Sequence, residues 1–349
     1  VSTPDVINDP RAELVLDVQD LVVDFAGRGS RRHRSTVKAV DGVSFDIARG
    51  EILALVGESG CGKSTIAMSV MRLITPTSGR IMSGGQDFAS LRGRALRKAR
   101  RRIQMIFQDP FGSLDARQTV FDTVAESLII HKIGDTTEQR RTMVLEALNL
   151  AHLRPPERLA ANFPHELSGG QRQRVAIASA MIVGPDLVIA DEPVSMLDVS
   201  ARSGILRLMM DLRDRLGVSY LFITHDLATA WVVADRIAVV YLGRIVETGP
   251  SAELVARPAH PYTRALLDAT SDETTTSGPD TGRVLAGEAP SASSVPSGCR
   301  FHPRCPKYAE LGQPAVCHTD DPTLQIVRRA APGQREHQAA CHFPSDEEQ

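Results

Sequence analysis

The stretch Gly57-Glu58-Ser59-Gly60-Cys61-Gly62-Lys63-Ser64-Thr65 constrains this chain more than any other. It fits the pattern G-x-x-x-x-G-K-[ST] and carries an extra glycine, Gly60, inside the loop. Ile52 to Val56 before it is short and continuously apolar, which predicts a buried strand, and Ile66 to Leu73 after it reads as the first turns of a helix. Strand, glycine-rich loop and helix in that order make a polyphosphate site. Glycines let the backbone wrap close to the anion, and successive N–H groups and the helix N-terminus then face its charge. Lys63 supplies a mobile cation for the β- and γ-phosphates, and the Ser64 hydroxyl suits Mg²⁺.

The remaining bounds are broad. The 349 residues suffice for one large domain or about two ordinary ones. The net charge of −2 gives no global reason to expect a polyanion, so no nucleic-acid partner is expected. No window approaches about 18 uninterrupted apolar residues, so no bilayer crossing is expected. Val1 to Arg11 is polar and acidic rather than basic then apolar, so no signal peptide is expected, and the nucleotide loop points to the cytoplasm. No repeat of 20–50 residues is visible, which predicts one nucleotide domain and not a fused pair.

Along the chain, residues 1–13 read as a loose arm, and Leu14 to Val23 alternates as a half-buried strand does. A basic loop follows at 26–34, then a second strand at Val37 to Ile47. Phe25 is one of few aromatics there and either stacks on a base or packs in the sheet. Residues 92–102 form a basic run, read as a solvated helix face. Ile103 to Phe107 reads as a short strand ending at Gln108-Asp109-Pro110, and 119–160 is helical with breaks near Gly134-Asp135 and Pro155-Pro156. Leu167-Ser168-Gly169-Gly170-Gln171 then opens a helix, with Ser168 where an N-cap belongs, making a second anion-binding end. Leu187 to Ala190 is a buried strand with Asp191-Glu192 at its C-terminal end, where open α/β sheets bind ligands. One carboxylate there suits Mg²⁺ and the other a water. Ser195-Met196-Leu197-Asp198 precedes a helix reaching about Leu216, and strand Ser219 to Ile223 ends in Thr224-His225-Asp226, so His225 again stands at a strand end. A hairpin over 237–247, two short helices, and a Ser/Thr/Pro-rich linker lead to a cysteine-bearing tail.

These residues, in this order and spacing, resemble an ABC transporter ATPase subunit over about residues 14–270. The resemblance implies an α/β fold: a P-loop NTPase core of ABC type with an antiparallel β subdomain and an α-helical subdomain, plus a small cysteine-containing C-terminal extension. It implies an ABC ATPase domain at 1–270 with the helical subdomain near 109–180, a linker at 271–296 and a tail domain at 297–349. Gly57 to Thr65 resembles Walker A. Gln108 resembles the Q-loop glutamine, which approaches Mg²⁺. Leu167 to Gln171 matches the ABC signature, of which Ser168, Gly169, Gly170 and Gln171 contact the γ-phosphate held by an opposite subunit. Asp191 resembles the Walker B aspartate, Glu192 the general base or water-orienting carboxylate, Asp198 the D-loop aspartate, His225 the switch histidine, and Phe25 the A-loop aromatic. The implied substrate is ATP with Mg²⁺, hydrolysed by positioning and charge neutralisation.

Residues 107–114, 260–267, and 287–290 followed by 296–306 resemble the oligopeptide/dipeptide importer ATPases. Importers of nickel or oligosaccharides by the same mechanism, and a soluble non-transport ABC ATPase, are the alternatives. The implied partners are a second, related ATPase subunit, two transmembrane permease subunits and an extracytoplasmic substrate-binding protein, with this chain peripheral on the cytoplasmic face of the cell membrane. Cys299, Cys305, Cys317 and Cys341 are spaced C-x5-C-x11-C-x23-C, without a C-x-x-C knuckle. Four thiolates suit a [4Fe–4S] cluster or zinc. Some members of the resembled subfamily hold a [4Fe–4S] cluster in such a tail; zinc and plain thiols remain alternatives. A cluster would staple a segment with few other apolar anchors. Cys61 reads as structural.

Overall fold

The computed structural model describes residues 13–26, 36–109, 112, 114–271, 290–331 and 334–345. The basic loop near 26–34, most of the expected linker, and Pro110, Phe111 and Ser113 therefore lie outside the described residues. Strands in chain order are β1 (Leu14–Ala26), β2 (Thr36–Ala48), β3 (Ile52–Val56), β4 (Ser78–Ser83), β5 (Gln86–Asp87), β6 (Ile103–Ile106), β7 (Leu187–Asp191), β8 (Ser219–Thr224), β9 (Arg236–Tyr241), β10 (Arg244–Pro250), β11 (Gln325–Arg328) and β12 (His337–Ala339). The chain divides into two units: Val1–Ala48 with Ile52–Ala89 and Thr224–Gln349, and Arg49–Glu51 with Ser90–Ile223.

In the first unit, β2-β1-β4-β5 form an antiparallel sheet. Its inner face is apolar because alternate residues point the same way: Leu16 opposes Ile47 and Val18 opposes Phe45, and all four are buried. A second run of strands is ordered β11-β12-β10-β9-β3. Every residue of β3 is buried, and it pairs in parallel with β9, Leu53 opposite Arg236 through Val56 opposite Val239. That continuous apolar run is what a parallel strand covered on both faces requires. β9 and β10 close a hairpin at Leu242-Gly243, both at positive φ (43° and 79°), as the twist of a two-residue turn demands.

The tail expected from residue 297 onward carries β11 and β12. It belongs to the first unit, where β12 pairs antiparallel with β10, Glu247 opposite Ala339 and Thr248 opposite Gln338. Beneath that pairing Glu247 and His337 are both fully buried. One Glu247 oxygen meets His337 Nε2 at 2.6 Å, and the carboxylate also accepts the N–H groups of Ala259 (2.7 Å) and His260 (2.9 Å). The expectation of few apolar anchors is corrected. Phe301 is buried against Tyr241 and Tyr262, ring centres 5.3 Å from each.

In the second unit, β8-β7-β6 run parallel, Ile103 opposite Leu187 and Leu187 opposite Ser219. The helical part follows the expected periodicity: Val120–His131, Thr137–Leu150, Pro156–Ala160 and Gly169–Met181. Thr119 and Thr136 each start a helix through a reciprocal capping box. The basic run becomes the helix Gly93–Arg100, with only Ala99 buried. No helix of the described residues is long and apolar enough to cross a membrane.

Candidate nucleotide site

In the first unit, β3 delivers the chain at Val56 into the Gly57–Thr65 loop, and the helix Lys63–Val70 leaves it. Gly62 caps this helix in the left-handed region with no side chain on the cap, which leaves the orphan N–H groups of the first turn for an anion. Two glycines here answer to space. A Cβ at Gly57 would lie 2.2 Å from the Val240 carbonyl oxygen, and one at Gly62 2.5 Å from that of Ala39. The hairpin turn braces the loop from outside, because the Gly243 N–H donates to Cys61 O at 2.8 Å.

Lys63 is buried and folded back on its own loop: Nζ donates to Gly57 O (2.6 Å) and Glu58 O (2.9 Å) and lies 3.6 Å from Cys61 Sγ. Burial pushes the Cys61 thiol up, with the Lys63 charge opposing. Cys61 is thus a buried neutral thiol at ordinary pH, in keeping with a structural reading. His225 is exposed just beyond β8, and Asp226 beside it caps the helix Leu227–Val233 through the N–H groups of Ala228 and Thr229. Phe25 lies one residue before the end of β1, opposite Val37, and is 41% exposed, so it lies outside the core.

In the second unit, β7 ends in buried Asp191, and the next residue, Glu192, stands at φ 45°. A non-glycine residue in that region is uncommon, and such residues concentrate at functional sites. Its conformation is held from several sides. Its N–H donates to Ile223 O at 3.0 Å, its carbonyl accepts from Ser195, and Gln108 Nε2 donates to its carboxylate at 2.8 Å. The expected pair of Q-loop glutamine and base is thus in direct contact. Ser168 caps the helix Gly169–Met181: its Oγ accepts from Gln171 N (3.3 Å) while Gln171 Oε1 accepts from Ser168 N (2.9 Å). Gly169 and Gly170 bring this turn against the next motif, since Cβ atoms there would sit 3.5 Å from Leu197 and 3.4 Å from Ala201. Asp198 caps the helix Val199–Leu216 through Ala201 N (2.8 Å) and Ser200 Oγ (2.6 Å), which hold its carboxyl below the usual range.

The four tail cysteines line one small pocket in the first unit, together with Phe301. The Cys299 N–H donates to Cys317 O at 2.9 Å, and backbone N–H groups approach three of the sulfurs: Phe301 and His302 at Cys299, Lys307 and Tyr308 at Cys305, and Phe343 at Cys341. Burial raises all four thiols, Cys299 to about 11 and Cys341 to about 12. Among the described residues, no group of three or more His, Cys, Asp or Glu is arranged to hold a metal ion.

Sequence reading did not find the side chains that grip the phosphate loop from a distance. The Glu58 N–H donates to the hydroxyl of buried Tyr262 at 2.9 Å, and the Arg304 guanidinium forks onto the Glu58 carboxylate. Both residues lie in stretches that the sequence marked only as resemblances to one subfamily, and nothing in their spacing names what they touch.

Comparison with known proteins gives a consistent pattern. The family described as "ABC transporter" matches residues 40–195, and "Oligopeptide/dipeptide transporter, C-terminal region" matches 246–310. A Brucella ovis protein described as a peptide import ATP-binding protein is 47% identical over 323 residues, 90% of this chain and 96% of its own length. The oligopeptide transport ATP-binding protein AppF of Bacillus subtilis is 42% identical over 337 residues, 95% and 98% of the two chains. Among solved structures, the ATP-binding cassette MJ0796, dimeric and bound to ADP and Pi in a post-hydrolysis state, aligns with TM-score 0.60 and 30% identity, covering 68% of this chain and 98% of that one.

Proposed function

The chain belongs to the ABC transporter family of ATP-binding, ATP-hydrolysing subunits, and from that premise we propose that it powers import of peptides, or of related solutes, through a membrane transporter. The observation that carries the catalytic part is the end of β7. Buried Asp191 is followed by Glu192 in a held, left-handed backbone with Gln108 on its carboxylate. The match at 246–310 and the peptide-import relatives support the cargo class.

In this reading ATP lies on the Gly57–Thr65 loop, and Lys63 exchanges the carbonyls of Gly57 and Glu58 for phosphate oxygens. Ser64, Gln108 and Asp191 would hold Mg²⁺ through oxygen donors, which suit a hard cation. When bound, Mg²⁺ would supply neutralisation of charge on the phosphates. Glu192 orients the attacking water and takes its proton, and His225 contacts the γ-phosphate. Ser168, Gly169, Gly170 and Gln171 face the nucleotide of a partner subunit, Asp198 lies at that seam, and Phe25 stacks on adenine. The partners are a related second ATPase, two permease subunits and a substrate-binding protein outside, with this chain on the cytoplasmic face.

Glu192→Gln tests the chemistry. ATP binding should persist while turnover falls at least about a hundredfold, as for loss of a general base. Unaltered turnover would remove Glu192 from its role. Cargo is tested by reconstituting the full transporter and measuring ATPase stimulation by di- and oligopeptides against nickel and oligosaccharides. Stimulation by the latter alone would overturn peptide import.

The tail cysteines support a finer proposal. The four thiols line one pocket, and a [4Fe–4S] cluster is the group we propose for it, with zinc as the alternative. Cys299, Cys305, Cys317 and Cys341 would hold it, and its supply would be structural. Anaerobically purified protein should be brown, with about four irons and four sulfides per chain. Colourless protein with stoichiometric zinc would reverse the assignment.

A further inference from the structure

The turn between Cys299 and Cys305 carries two arginines that nucleotide chemistry leaves unused. Arg304 is buried and makes a two-pronged ion pair with the phosphate loop, Nη1 to Glu58 Oε2 at 2.8 Å and Nη2 to Oε1 at 3.0 Å. Arg300, also buried, donates to Leu242 O at 2.5 Å and to Asp41. Leu242 belongs to the hairpin turn whose Gly243 N–H holds Cys61 O. The two tail arginines therefore reach the loop on one side directly and on the other through that turn.

Glu58 is an odd residue for its place. It puts a carboxylate one position after Gly57 in a loop otherwise built to attract an anion. Every polar group it has is taken, each by a different segment: its N–H by Tyr262, its carbonyl by Lys63, its carboxylate by Arg304. Tyr262 in turn packs on Tyr241 and Phe301, ring centres 4.6 and 5.3 Å away. Only a guanidinium offers a planar fork to both carboxylate oxygens. Its burial spares the pair most salt screening.

We propose that Arg304 is a positioning residue for the phosphate loop: it neutralises the loop's own carboxylate and fixes the Glu58 peptide, and so sets affinity for the phosphate chain of ATP. The proposal rests on the reading that Gly57–Thr65 binds a nucleoside triphosphate. It makes the cysteine-bearing tail part of the nucleotide half-site.

The test is calorimetric titration of the full chain with ATP, ADP and AMP, in wild type, Arg304→Met, Arg304→Lys, Glu58→Gln and the Glu58→Gln/Arg304→Met pair. Arg304→Met should weaken ATP about tenfold, the scale of one uncompensated charge near a polyphosphate, with a smaller loss for ADP and least for AMP. The double variant should recover most of the ATP affinity, because the unpaired carboxylate is gone, and Arg304→Lys should recover part. In turnover assays the loss should fall on KM more than on kcat. Should Arg304→Met fail to fold by thermal melting, Arg304→Lys and the double variant carry the comparison. Undiminished ATP affinity in Arg304→Met, an equal loss for all three nucleotides, or a double variant as weak as the single would each overturn the proposal. Wild type that binds no ATP would overturn the nucleotide reading instead.

Discussion

At the scale of single residues, the phosphate loop separates glycines that serve space from glycines that serve conformation. Gly62 is constrained by both, with φ 110° and the Ala39 carbonyl 2.5 Å from any Cβ. Gly60 has φ 79° and open space around it. Gly62→Ala should therefore destabilise the fold by about 3 kcal/mol and Gly60→Ala by about 1 kcal/mol, a difference that denaturant unfolding resolves. Equal costs would mean that the carbonyl moves aside. The motif pattern marks Gly62 and not why it is needed, since Ala39 lies 23 positions away in β2.

At the scale of elements, most of this chain was legible because its signals are local. The apolar runs of β3 and β7, the breaks between the helices of 120–160, and the Ser168 cap all report on residues within a turn or two of themselves. β4 and β5 passed unremarked: both are short, and the tight Gly84-Gly85 turn joins them. The signature turn shows how one residue serves two purposes. Ser168→Ala removes a capping bond and should cost about 1 kcal/mol of stability along with turnover. Ser168→Asn keeps a cap and should restore stability without restoring turnover. Recovery of both would show that the serine matters only as a cap.

At the scale of the whole molecule, the tail was the least legible part. Its pairings span large separations, Arg304 with Glu58 and Arg300 with Asp41, and no periodicity encodes a partner so distant. Asp41 illustrates the result: burial pushes its carboxyl up, yet Arg300 and Arg244 outweigh that and hold it below the usual range. The buried His337–Glu247 pair is the tail's polar anchor on β10. His337→Ala leaves Glu247 to two backbone N–H groups and should cost about 3 kcal/mol, read as a lowered denaturant midpoint. It should also loosen β12 and expose the β10 edge to aggregation. A midpoint within about 0.5 kcal/mol of wild type would show that the backbone donors suffice.

The first unit is discontinuous, begun before the second and finished after it. A ribosome therefore releases the phosphate loop early and its arginine brace some 240 residues later. A chain cut short before Arg304 carries Gly57–Thr65, Leu167–Gln171, Asp191-Glu192 and His225, yet its Glu58 carboxylate lacks the Arg304 partner. On the role proposed for Arg304, such a copy should bind ATP about tenfold more weakly than the full chain, which titration of the truncated chain checks.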